Sequence, residues 1–165
     1  MRGVPIAIEA MVCGITDADA RFKPPSGAWS ILEVVCHLCD EESLDFRARI
    51  ESTLRDPGAP WPLTDPEGWA TERRYNEQDL AERLKTFARL RSETVAWLSS
   101  LTSADWTMAY HHPRHGPVAA GTLMVSWPAH DALHIRQIAK RLFEIAGCDA
   151  APCGFETRYA GEWGA

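Results

Sequence analysis

The sequence lacks an excess of basic residues: 17 Lys and Arg stand against 23 Asp and Glu, a formal net charge of −6. Phosphate recognition needs clustered cations, and Arg73-Arg74 and Lys140-Arg141 are isolated pairs, so no nucleic-acid partner is expected. No apolar run approaches the roughly 20 residues of a membrane span. The first residues carry one basic side chain, Arg2, and an early Glu9, which does not read as a signal peptide. No membrane partner is expected, and the cytoplasm is the expected compartment. The five cysteines are odd in number and suit a reducing compartment better than a disulfide framework. Cys36, Cys39, Cys148 and Cys153 could be drawn as a four-thiolate zinc set. The second pair is loosely spaced, however, and the first lies inside a helical pattern, so buried apolar filler is the better reading.

Several catalytic signatures are also missing. There is no Gly-x-Ser-x-Gly elbow, no Gly-x-x-x-x-Gly-Lys phosphate loop and no Gly-x-Gly-x-x-Gly dinucleotide turn. Where a zinc protease would carry His-Glu-x-x-His, this chain has His130-Asp-Ala-Leu-His134, without the glutamate base. No Glu-x-x-His motif is present to build a di-iron carboxylate cluster. Cys36 and Cys39 flank His37 but have no positive partner to make a reactive thiolate.

What the chain does have is helical periodicity. At 165 residues it is long enough for one domain with a proper core. A first pattern runs from about Pro5 to Ala20 and ends before Lys23-Pro24-Pro25-Ser26-Gly27. A second opens on a capping box, Ser30 with Glu33, and a hydrophobic staple, Trp29 with Val34, and keeps period to about Leu54. Residues from Asp56 to Thr71 look irregular. A third pattern begins near Asn76 and passes Leu101, and the segment around Tyr110-His-His-Pro-Arg-His-Gly-Pro reads as a loop. A fourth starts between Val118 and Thr122 and runs to about Ala146, with Gly147 as its cap and a kink expected at Pro128. No segment shows strand alternation. The expectation is an all-α four-helix bundle over residues 1–147, with a tail, 148–165, packed on or near it and pinned by Phe155, Tyr159 and Trp163.

His130 and His134 stand four apart on the last helical pattern, so one turn separates them on one face. His37 lies on or beside the apolar stripe of the second pattern and points inward. Three buried neutral imidazoles without a metal would each need a hydrogen-bond partner, whereas with a divalent metal they become ligands and leave a coordination position open. The expected metal ligands are therefore His37, His130 and His134. Glu41, one turn from His37, and Asp131, beside His130, could each accept a ring N–H or stand as solvated helix charge. Gln137 could bond a ligand histidine or a water on the metal.

These residues coincide with a family resemblance. Trp29-Ser-Ile-Leu-Glu-Val-Val-Cys-His37-Leu with Asp40 and Glu41, the middle segment Leu90-Arg-Ser-Glu-Thr94, the loop His112-Pro-Arg-His-Gly116 and His130-Asp-Ala-Leu-His134-Ile-Arg-Gln137-Ile together resemble the DinB-like (DinB/YfiT-like) superfamily over about Lys23 to Leu142. The resemblance implies an up-down-down-up four-helix bundle, commonly a homodimer, holding a divalent metal, most often nickel or zinc, on a histidine triad. His37 matches the histidine of the second helix, and His130 and His134 match the pair on the last. Members with known activity include transferases and isomerases that use low-molecular-weight thiols such as bacillithiol, mycothiol or glutathione. The implied function is a metal-dependent thiol S-transferase acting on a small-molecule substrate, with Arg136 or Arg114 as candidates to hold a charged thiol. The alternatives are a metal-dependent hydrolase, with Glu41 or His112 as the base, and a non-catalytic metal-binding stress-response bundle. Seven tryptophans in so short a chain, some of them on an apolar outer face, would suit the dimer.

Overall fold

A computed structural model describes residues 1–163. Its long elements are α1 (Val4–Met11), a second helix built of α3 (Ile31–Asp40), a π-helical turn (Glu41–Asp45) and α4 (Phe46–Arg55), then α6 (Leu80–Ser100) and α7 (Ala120–Ala150). Two short helices, α2 (Asp17–Ala20) and α5 (Pro66–Glu72), lie in the connections. Between α6 and α7 comes an antiparallel hairpin, β1 (Ala109–His112) with β2 (Gly116–Ala119), in which Ala109 faces Ala119 and His112 faces Gly116.

Side-chain contacts give the helix directions. Cys36 Sγ meets the Tyr75 carbonyl, Cys39 Sγ the Arg83 carbonyl and Glu42 the Arg91 guanidinium, so the second helix and α6 run parallel. His37 packs on His134 while Phe46, further along, packs on Trp127, so α7 runs antiparallel to the second helix. The chain passes from Met1, whose carbonyl meets Arg91, to Arg21, which meets the Gln78 carbonyl, so α1 opposes α6. The result is a four-helix bundle of up-down-down-up topology. Parallel neighbours cannot be joined by a tight turn, which is why α5 and a long crossover separate Arg55 from Leu80.

The second helix starts where Ser30 and Glu33 predict. Ser30 Oγ accepts from the Glu33 N–H, and the Glu33 carboxylate accepts from the Ser30 N–H at 2.8 Å. Other expectations need correction. The first pattern is not one helix: α1 stops at Met11, Gly14 takes φ 82°, and Thr16 opens α2 with a capping box of its own. The stretch to Thr71 holds α5, capped by Asp65 with Pro66 at its first turn. The histidine-rich loop is a hairpin whose turn closes at Gly116, φ 68°. Helix α7 passes Gly147 and ends at Ala150, and it runs through Pro128, which is exposed, so the backbone bond a proline deletes is lost on the side water reaches.

Three core clusters lie along the bundle, the smallest of them Leu32, Cys36 and Tyr75. Of the other two, one gathers Ile8, Val34, Val35, Leu38, Phe87 and Ile138; the other gathers Ile50, Ala120, Leu123 and Trp127, with Phe46 and Trp61 against it. None of the seven tryptophans is exposed, and the bare apolar side chains are instead Ile6, Leu44, Leu63, Val125 and Leu133. In the tail, Phe155 and Tyr159 are exposed and pin nothing, while Trp163 reaches the Phe143 ring. No helix among the described residues is long and apolar enough to cross a membrane.

Candidate metal centre

The second helix and α7 pack antiparallel, with His37 on the face that meets α7. His130 and His134, one turn apart on α7, meet it there. Ring centroids lie 4.7 Å apart for His37 and His134, 5.5 Å for His37 and His130, and 4.4 Å for His130 and His134. One ring nitrogen from each falls within 4.8 Å of the others, a grouping of metal-ligating side chains among the described residues. His37 and His134 are buried and His130 half-buried.

The hydrogen bonds define the tautomers. His134 Nδ1 lies 2.9 Å from Gln137 Oε1, so the amide oxygen accepts the ring N–H and the Nε2 lone pair of His134 faces His130. His130 Nε2 is 3.1 Å away. Two nitrogens bound to one tetrahedral metal stand roughly 3.3 Å apart, so the pair is already close to ligand spacing. The Nδ1 atoms of His37 and His130 are buried without a partner among the described residues, which is costly for purely structural imidazoles.

Burial first, then the neighbouring imidazoles of His134 and His130, pushes His37 down to about 3. Burial and His134 push His130 down to about 4, and burial also lowers His134. All three are neutral at pH 7, with lone pairs available. Three neutral imidazoles converging on one point fit a divalent transition metal, and nickel, zinc and iron all accept that donor set.

A cavity of about 410 Å³ opens beside the triad, lined by Trp29, Glu41, Asp45, Phe46, Arg49 and Pro66 together with the three histidines. Glu41 is 3% exposed, and its Oε1 lies 3.6 Å from His37 Nε2, in the pocket but beyond hydrogen-bond reach of the ring. Burial, followed by the charge of Asp45, pushes its carboxyl up to about 8. The π turn explains why acids line a pocket inside a bundle. Its wider turn accommodates an extra residue, so Glu41, Asp45, Phe46 and Arg49 all share the pocket with His37 while Glu42 faces the opposite side.

Asp131 sits beside His130 in sequence but turns away from it. Its carboxylate takes both Nη atoms of Arg91, at 2.7 and 2.8 Å, and is no acceptor for a ring N–H. The hairpin places His112 against Trp61 and His115, outside the pocket lining. Neither Arg136 nor Arg114 lines the pocket; Arg49, held to Asp45 at 3.0 Å and Thr64 at 2.7 Å, does. The thiols of Cys36 and Cys39 are buried, packed on carbonyl oxygens and pushed up to about 12 by burial, while Cys148 and Cys153 are exposed, so no four-thiolate set forms. Sequence reasoning missed Asp45, Arg49, Trp29 and Phe46 as pocket walls. The available signal was the acidic run Asp40-Glu41-Glu42-Ser43-Leu44-Asp45 inside an otherwise apolar helix.

Known proteins share this architecture. The chain superposes with a TM-score of 0.74 on YfiT from Bacillus subtilis, 20% identical, over 88% of this chain and 83% of that one; that protein is described as "a probable metal-dependent hydrolase with an unusual four-helix bundle topology". A protein of Bacillus pumilus (strain SAFR-032) named "Putative metal-dependent hydrolase" is 25% identical over 142 residues, 84% of this chain and 80% of that one. Residues 6–138 match the family model of the DinB superfamily, and the chain belongs to that family.

Proposed function

We propose that this protein is a metal-dependent hydrolase of a small-molecule substrate, with His37, His130 and His134 as the metal ligands. The observation that carries the reading is the placement of Glu41: a buried carboxylate beside His37 Nε2, facing the same cavity as the triad. The name given to the Bacillus pumilus relative agrees with it. Nickel or zinc is the proposed metal, which His37, His130 and His134 would hold and which would supply Lewis acidity there.

The chain's own groups do the rest. Gln137 holds the His134 Nδ1–H, which keeps the Nε2 lone pair directed into the site. Burial holds Glu41 protonated at pH 7, and a divalent cation on the triad would favour its ionised form. As the carboxylate, its Oε1 takes a proton from the attacking water and returns it to the leaving group, so the water's hydroxyl and hydrogen end on the two fragments of the cleaved bond. Trp29, Phe46 and Pro66 give the cavity apolar walls, and its volume of about 410 Å³ suits a small molecule.

A second reading, transfer of a low-molecular-weight thiol, draws on Arg49, a cation in the pocket wall that could face a charged thiol. One experiment separates the two. Protein loaded with zinc or nickel is assayed against small amides and esters, and against a generic electrophile with bacillithiol, mycothiol or glutathione, beside Glu41→Gln. Hydrolysis that falls about 10²–10⁴-fold in Glu41→Gln, with metal content unchanged, is the expected result. Turnover only with a thiol would replace the hydrolase by the transferase, and metal retention without either activity would leave a non-catalytic bundle.

A further inference from the structure

Helix α6 contributes no side chain to the cavity wall, yet it carries an almost completely enclosed charge, Arg91. Arg91 is 1% exposed, and its partners Glu42 and Asp131 are 1% and 0% exposed. Its Nε donates to Glu42 Oε1 at 2.6 Å, and its two Nη atoms donate to the two oxygens of Asp131 at 2.7 and 2.8 Å. The guanidinium is packed between the rings of Phe87 and Trp127, at 5.0 and 5.8 Å from their centroids, and also donates to the Met1 carbonyl at 3.2 Å. One side chain thus ties α6 to the second helix, to α7 and to the segment that leads into α1.

The two carboxylates it grips have particular neighbours. Glu42 follows Glu41 in the π turn, and Asp131 follows His130 on α7. Adjacent residues on a helix point in different directions, so each carboxylate faces α6 while the residue before it faces the cavity. The planar fork of an arginine fixes distance and rotation together, which a lysine or an apolar side chain does not. A buried charge cluster is also a poor source of net stability, because apolar residues of similar volume serve as well or better.

We propose that Arg91 is a positioning residue of the metal centre: by clamping Glu42 and Asp131 it sets the rotation and register of the π turn against α7, and so places Glu41 opposite His130 and His134. This rests on the metal-site reading above, and it acts without Arg91 touching metal or substrate.

The test compares the parent protein with Arg91→Lys, with the neutral triple variant Arg91→Met, Glu42→Gln, Asp131→Asn, and with Ile145→Ala, a core truncation on α7 far along from the triad. Zinc affinity is measured by chelator competition, site geometry by the visible spectrum of the cobalt-loaded protein, and stability by melting of the metal-free form. Folded Arg91→Lys and triple variants are expected to bind zinc at least about tenfold more weakly and to show altered cobalt bands. Ile145→Ala should melt lower with affinity and bands unchanged. Parental affinity and bands in the folded variants would overturn the proposal. So would affinity that merely follows melting temperature in all variants, Ile145→Ala included, or failure of both Arg91 variants to fold, since Arg91 would then be a stability residue. A parent that binds no zinc or cobalt removes the metal-site reading itself; a parent that binds both, with variants that match it, removes only the positioning role.

Discussion

His134 and Gln137 are joined across one turn of α7, with Gln137 Oε1 2.9 Å from His134 Nδ1. That bond determines which nitrogen of His134 carries the proton, and so which one is free to face His130 and His37. Gln137→Ala should leave the fold intact and lower metal affinity about 10–100-fold, read by chelator competition. Unchanged affinity would mean that the ring is held by packing alone.

The buried titratable groups make the stability of the metal-free protein depend on pH in two windows. His37 and His130 titrate at about 3 and about 4 when folded, against 6.5 when exposed. Between those limits the unfolded chain binds more protons, so acid favours unfolding. Glu41 acts in the opposite sense: raised from 4.5 to about 8, it is protonated in the folded chain where the unfolded chain is ionised, and its contribution is lost as pH rises. Glu42 and Asp45, also raised by burial, act with it. Melting temperature should therefore fall below about pH 4.5, where the imidazole effect is unopposed, and again from pH 6.5 towards 8, where the carboxyl effect is. A flat profile between 6.5 and 8 would contradict a buried Glu41.

Trp127 is fully buried and stacked on Phe46, with ring centroids 5.2 Å apart. It joins α7 to the second helix immediately beside the triad. Trp127→Ala should cost about 3–5 kcal/mol in urea unfolding. A loss under 1 kcal/mol, about the cost of an ordinary surface change, would show that the cluster repacks.

A homodimer is proposed on different grounds from the tryptophan content, because none of the tryptophans is exposed. Ile6, Val125 and Leu133 are 70%, 61% and 63% exposed and are the apolar groups a partner would cover. Light scattering should report about twice the chain mass of 18.4 kDa, and a monomer at high concentration would reject the dimer.

Local structure was legible wherever a signal is carried by neighbours in sequence. The Ser30–Glu33 box placed the start of the second helix to the residue, because capping is settled within one turn. The spacing of His130 and His134 put both rings on one face for the same reason. The crossover helix α5 and the break at Gly14 were harder, since a short helix has too few turns to show a period.

Sequence alone therefore determined the helical class, the histidine pair on α7 and the inward face of His37. Tertiary structure decided that His37 meets that pair, that the acidic run winds into a π turn with Glu41 in the cavity, and that Asp131 turns to Arg91 instead of His130. Glu41 and Asp131 each had two possible fates in the sequence, exposed helix charge or a bond to a histidine ring. Asp131 meets Arg91 of α6, 40 residues away in the chain, and Glu41 shares its cavity with His130 and His134 of α7. Periodicity reports which face of a helix is buried, and only packing decides what that face is buried against.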